Sequence, residues 1–172
     1  MPKTSYIVIA AVTIDGKIAL SSKHNSSWTS KEDKDFLHAM LDKCDVVVVG
    51  NNTYKAAKKP LSKRNCIVFT SKVTSNVKKN SRLLYCNPER TDIKKLIEKL
   101  GYKKIALLGG AQTYTFFLQK NLVNDIYLTI EPLTFGMGLN LFGSSKPLVR
   151  NFKLVSIKKL NKAGTLLLHY KS

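Results

Sequence analysis

The stretch "KIALLGGAQTYTFFL", residues 104–118, decides how the chain folds. Its first five residues read as a buried strand, two glycines follow at once, and the rest carries the apolar spacing of a helix. A strand that passes through a glycine turn into a helix is half of a strand–helix–strand unit. "DVVVVGNNTY", residues 45–54, repeats the theme with Gly50. Glycine lets backbone N–H groups approach a ligand, and a helix start favours an anion. Neither turn is G-x-G-x-x-G or a P-loop, and glycine at such a place also serves plain turn geometry. Two such turns at the carboxyl ends of core strands would flank a crevice suited to a dinucleotide.

Working outward, residues 5–12, 65–70, 82–86, 125–131, 152–160 and 165–170 join 45–49 and 104–108 as strands. The last two flank "NKAG", a hairpin-like turn. Helical spacing covers 30–43, 51–58, 92–100 and 110–120, and Gly101 stands as a C-cap for the third. The expected fold is α/β, one domain over 1–172. It has a mixed, mostly parallel central sheet, helices on both faces and a C-terminal antiparallel hairpin.

A net charge of +18 points to nucleic acid or to another polyanionic ligand. The cations are nearly all Lys and are spread along the chain, whereas sequence-specific nucleic-acid readers use Arg forks and exposed aromatics. A phosphorylated small ligand accounts for the charge with less, so no nucleic-acid partner is expected. Cys44, Cys66 and Cys86 are too few and too widely spaced for a disulfide framework or a zinc site, and no metal is expected. No apolar run approaches a membrane span and the first residues lack a signal peptide's apolar core, so the expected location is the cytoplasm.

In "SSWTSKEDKDF", residues 26–36, three acids crowd behind the only Trp. Thr29 with Glu32 fits a capping box, and Ser30 with Asp33 fits a looser one. Helix geometry separates the acids. The apolar stripe is Phe36, Leu37, Met40, Leu41 and Cys44. At roughly 100° per residue Asp33 falls within roughly 15° of that stripe, Glu32 lies roughly 110° away and Asp35 is nearly opposite. Asp33 therefore points inward, where a carboxylate needs a partner or takes up a proton more readily. It is a candidate for binding an amidine-like edge or supplying a proton, and a cap remains the alternative.

Six blocks carry a resemblance over about residues 5–142: "VIAAVTIDGKIA", Trp28 followed five residues later by Asp33, "VVVGNNTY", "KPLSKRNCIVFTS", "LLGGAQTYTFFL" and "IYLTIE". In this order and spacing the chain resembles the dihydrofolate reductase superfamily. Trp28-x4-Asp33, P-L-x-x-R, G-G-x-x-x-Tyr114 and Tyr127-Leu128-Thr129 are similar to dihydrofolate reductase itself. "TIDGKIA", "WTSKEDKDFLH" and "EPLTFGMG" are similar to the riboflavin-pathway pyrimidine reductases. NADPH-dependent reduction of 7,8-dihydrofolate to tetrahydrofolate is the leading expectation. Reduction of a ribosylaminopyrimidine phosphate is the alternative, and a non-catalytic basic nucleic-acid-binding domain is a third reading from another class.

The resemblance implies roles. Asp33 would hold the amino and ring-nitrogen edge of the substrate, with Thr129 as its partner and Trp28 ordering the site. Val12, Leu37 and Leu61 would line the substrate cleft, and Arg64 would meet the folate α-carboxylate. Ala11 and Ile18 would border the nicotinamide. Gly50, Asn51, Asn52 and Thr53, with Gly109, Gly110, Ala111, Gln112, Thr113 and Tyr114, would cradle the pyrophosphate. Ser71 and Lys72 would face the adenosine 2′-phosphate. Each has a plainer reading: Trp28 as core, Arg64 as surface charge, Thr129 as strand packing. Asn51 stands where dihydrofolate reductases carry Arg, which bears on NADPH against NADH. The polar segment between Asp15 and Trp28 would be a mobile lid. The chain would act as a monomer or a homodimer.

Overall fold

The computed structural model describes residues 3–172. The core strand β1 (Ser5–Thr13) is followed by short β2 (Lys17–Ala19), α1 (Lys31–Leu41), β3 (Val46–Gly50), α2 (Asn51–Ala56), α3 (Lys58–Leu61) and β4 (Cys66–Phe69). Then come β5 (Asn76–Lys78), β6 (Leu83–Cys86), α4 (Ile93–Lys99), β7 (Lys104–Leu107), α5 (Ala111–Gln119), β8 (Val123–Glu131), β9 (Leu139–Asn140), β10 (Lys153–Lys159) and β11 (Leu166–Lys171).

Nine strands form one sheet in the order β10-β11-β8-β1-β7-β3-β4-β6-β5. The central run from β8 to β6 is parallel throughout. β11 pairs antiparallel with β8, β10 with β11, and β5 with β6 at the far edge. This is the expected mixed sheet with its terminal hairpin. Its central strands are apolar on both sides because helices cover both faces. Val46, Val47, Val48 and Val49 are all at most 2% exposed, and each such side chain contributes about 1.5–3 kcal/mol of burial. One core packs Val8, Val48, Ile67 and Ile105 against Ile93 and Ile97 of α4 and Phe117 of α5. The other packs Ile7, Ile9, Val47 and Val49 against Leu41 of α1, Tyr54 of α2 and Leu61 of α3.

The α4 helix ends as expected. Gly101 has φ +78°, its N–H donates to Glu98 O and the Tyr102 N–H to Ile97 O, a pair of hydrogen bonds that needs a left-handed residue after the cap. The expected helix over 51–58 is instead two short ones, because Ala57 leaves helical geometry at φ −109°, ψ 20°. The short strands β2, β5 and β9 are additions to the sequence reading. With two or three residues and no buried face, they carry no period to detect. Among the described residues no helix is long and apolar enough to cross a membrane.

Candidate active site

The carboxyl ends of four neighbouring parallel strands, β8, β1, β7 and β3, meet at one edge of the sheet. The two glycine turns lie there side by side. The Gly50 N–H donates to Gly109 O at 2.6 Å. A Cβ on Gly50 would stand 3.2 Å from Thr113 Oγ1 and 3.5 Å from Gly110 N. Gly109 takes φ +94°, and a Cβ there would meet the Tyr114 ring at 2.9–3.1 Å. The Gly109–Gly110 peptide is cis. Neither turn tolerates a side chain without displacement.

The helices that leave these turns differ from their neighbours. Side chains cap α1 and α4, through Ser30 and Asp92. No side chain caps α2 or α5, which follow Gly50 and Gly110. Their first-turn N–H groups are therefore left for another acceptor. Asn51 and Thr53 are half-buried beside Ala111 and buried Thr113, while Asn52 and Gln112 are exposed. Ser71 and Lys72 lie exposed just past β4, whose Phe69 pairs with Gly50. Backbone donors, absent side chains and a nearby cation fit the pyrophosphate and 2′-phosphate of a pyridine dinucleotide. Half-buried Ala11 and Ile18 stand on β1 and β2.

The acid side of the site forms on β8 and α1. Asp33 is 8% exposed, in contrast to exposed Glu32 and to Asp35, which pairs with Lys31 on the surface at 2.6 Å. Burial pushes the Asp33 carboxyl above the ordinary range, against the pull of the Thr129 and Thr29 hydroxyls, and the charge of Glu131 adds to the rise. Thr129 is 1% exposed and pairs with Ala11 across the β1–β8 ladder. Tyr114 donates its hydroxyl to Ile9 O at 2.8 Å, and burial with the charge of Asp33 drives its phenol upward. Trp28 is half-buried, edge-on to Phe135 at 5.1 Å, and its Nε1–H is buried with no partner. Val12 and Leu61 are buried, and Leu37 is half-buried.

The capping reading needs one correction. Ser30, not Thr29, is the N-cap: its Oγ accepts the Asp33 N–H at 3.2 Å. Glu32 instead accepts from Asn161 Nδ2 at 3.2 Å. Arg64 lies at the far end of α1 from Asp33. It precedes β4 at the amino ends of the strands and binds Asp42 at 2.7 Å. Asp42 is nine residues beyond Asp33, about 13 Å along α1. Arg64 also borders a cavity of about 320 Å³ with Leu41, Cys44, Asp45 and Arg82, away from the glycine turns.

The segment expected to be a mobile lid is tied down at its base. Asp15 accepts from Thr13 Oγ1 at 2.6 Å and from the N–H groups of Phe135 and Gly136 at 3.1 and 2.8 Å. β2 pairs with β9, and a Cβ on Gly138 would collide with the Ala19 carbonyl. Sequence reading missed two buried groups, Glu131 and Thr165, at 3% and 1% exposure. Period-2 counting from Thr129 places Glu131 on the Asp33 face, so that signal was available. Thr165 carries no local signal.

The chain matches the model of the RibD C-terminal domain over residues 5–166. It is 22% identical over 144 residues to the uncharacterized protein YwjB of Bacillus subtilis, covering 79% of this chain and 81% of that one. A pyrimidine reductase-like protein from Corynebacterium diphtheriae superposes with a TM-score of 0.77 at 18% identity, over 98% of this chain and 91% of that one. A Thermotoga maritima diaminohydroxyphosphoribosylaminopyrimidine deaminase/5-amino-6-(5-phosphoribosylamino)uracil reductase superposes at 0.73 and 18% identity. This chain, 98% covered, spans 56% of that longer one. The match favours the riboflavin-pathway branch over the dihydrofolate branch that the motifs alone had put first. On residues 5–166 the chain belongs to the RibD C-terminal domain family.

Proposed function

We propose that the chain is a pyridine-nucleotide-dependent reductase of a phosphorylated ribosylaminopyrimidine. The observation that carries this reading is the buried Asp33 beside two hydroxyls, opposite paired glycine turns with uncapped helix starts. NADPH, when bound, supplies the hydride. The turns at Gly50 and Gly109–Gly110, with the first residues of α2 and α5, would hold its pyrophosphate. Ser71 and Lys72 would face its 2′-phosphate, and Ala11 and Ile18 its nicotinamide.

Reducing a ribosylamino group requires the sugar ring to open to a C=N. That bond takes hydride at carbon and a proton at nitrogen. Asp33, when ionised, accepts the amino and ring N–H donors of the pyrimidine; when protonated, it holds a proton in a site shielded from water. The Thr129 and Thr29 hydroxyls beside it oppose the rise in proton affinity that burial brings. The unpaired Trp28 N–H offers a donor to a substrate oxygen or a bridging water. A chain of net charge +18 attracts both anionic ligands.

The purified protein with NADPH and 5-amino-6-(5-phosphoribosylamino)uracil is expected to consume reduced nicotinamide. The same assay with dihydrofolate is expected to stay at background. Turnover of dihydrofolate alone would sink the reading.

A further inference from the structure

In a capping box the N-cap side chain accepts the N–H of the third helical residue, whose own side chain reaches back to the N-cap N–H. Here Ser30 is the N-cap and Asp33 is that third residue, and Ser30 Oγ does accept the Asp33 N–H. The return bond goes elsewhere. The Ser30 N–H donates to Oε1 of Glu131 at 2.7 Å, from a strand 101 residues away. Oε2 of Glu131 accepts from Thr165 Oγ1, also at 2.7 Å. Thr165 Oγ1 in turn accepts from Asn161 Nδ2 at 2.9 Å. Both oxygens of this buried carboxylate are thus in use, and the turn of the C-terminal hairpin holds one of them.

We propose that Glu131 is a positioning residue for this site: it takes the helix-capping bond that Asp33 would otherwise make, and so leaves the Asp33 carboxylate free for a ligand. The inference rests on reading Asp33 as the ligand-binding acid. Glu131 also acts as a like charge. The charged or titratable groups that face Asp33 are Lys34 on its own helix, Glu131 on β8 and the Tyr114 phenol on α5. Among the described residues no cation pairs with Asp33 or Glu131. The charge of Glu131 raises the proton affinity of Asp33, against the opposing pull of Lys34, and so helps Asp33 hold a proton.

Glu131→Gln and Glu131→Ala separate the two roles. Gln keeps an acceptor for the Ser30 N–H and removes the charge; Ala removes both. The Asp33 side-chain carboxyl carbon, assigned by its loss in Asp33→Asn, is followed by NMR against pH in the ligand-free protein. In Glu131→Gln its midpoint is expected to move to lower pH, and the pH profile of kcat to move with it. Glu131→Ala is expected to lose kcat by about tenfold or more while NADPH binds within about twofold, and Glu131→Gln is expected to retain most of the activity. An unmoved Asp33 titration in Glu131→Gln overturns the electrostatic role. Equal kcat in the Gln and Ala variants overturns the positioning role. The titration needs no substrate, so a wrong substrate assignment leaves that result standing.

Discussion

The glycine turns and the acid pocket face each other across the same strand ends, yet they are built differently. The turn side is backbone: Gly50 and Gly109 sit where a Cβ would crowd Thr113 and Tyr114, and the helices after Gly50 and Gly110 start without a side-chain cap. The acid side is side chain: Asp33, Glu131, Thr129 and Thr165 come from a helix, a strand and the turn of the terminal hairpin and depend on one another. A backbone cradle fails by steric collision and is otherwise indifferent to pH. A buried acid pocket responds to charge and to proton concentration.

The contrast breaks most sharply at Asp33. Asp33→Asn is expected to lower kcat by about 10²–10⁴-fold while NADPH affinity, which the proposed function assigns to the other side, stays near wild type. The same variant is expected to melt higher at neutral pH, by about 2–4 °C for each kcal/mol recovered. The sign follows from burial, which raises the folded pKa of Asp33 above its unfolded value. Stability from the protonated form is then complete below the unfolded value and is lost as pH rises through the raised one. Asn mimics the protonated form at every pH. A melting curve that falls, or cofactor binding that collapses, would remove the distinction between the two sides.

Gly109→Ala tests the turn side. It puts a Cβ against the Tyr114 ring at a φ of +94°, and is expected to cost about 1–3 kcal/mol of stability and most of the NADPH affinity at every pH. Calorimetric binding at two pH values checks both. Weak binding at one pH only would mean that the turn is coupled to the acids.

A smaller effect is expected at the flap. The Thr13 hydroxyl, followed by the N–H groups of Phe135 and Gly136, holds the Asp15 carboxyl below its usual range. The tether is therefore present above the unfolded pKa and is lost as pH falls through the lowered one. Asp15→Asn is expected to speed hydrogen exchange at Phe135 and Gly136 near neutral pH, with Gly50 and Gly109 unchanged. Equal exchange in both proteins would show that the β2–β9 pairing holds the flap without Asp15. The smallest effect is at the thiols. Burial pushes Cys66 up to about 11, and Cys44 alone among the three is half-buried, so a thiol reagent is expected to modify Cys44 first. Peptide mapping reads the order.

Much of the site was legible along the chain because it depends on local periods. Strand runs followed directly by glycine located the turns, and helix geometry picked Asp33 out of three neighbouring acids. The mostly parallel character of the sheet followed from alternating strands and helices, while the order of its strands did not. Identity of the N-cap was not legible, because Thr29 with Glu32 fits the capping box more closely than Ser30 with Asp33 does, yet Ser30 is the cap. Only the acceptor brought by β8 chooses between them.

What the sequence determined by itself is which side chains can be buried and where the backbone is free to turn, since both follow from side-chain chemistry within a few residues. What the tertiary structure decided is which polar groups meet. Ser30 with Glu131, Glu131 with Thr165, and Arg64 with Asp42 are pairings across 22 to 101 residues. The physical reason is that a buried polar atom must find a partner wherever the packed strands bring one, and no spacing along the chain records that distance.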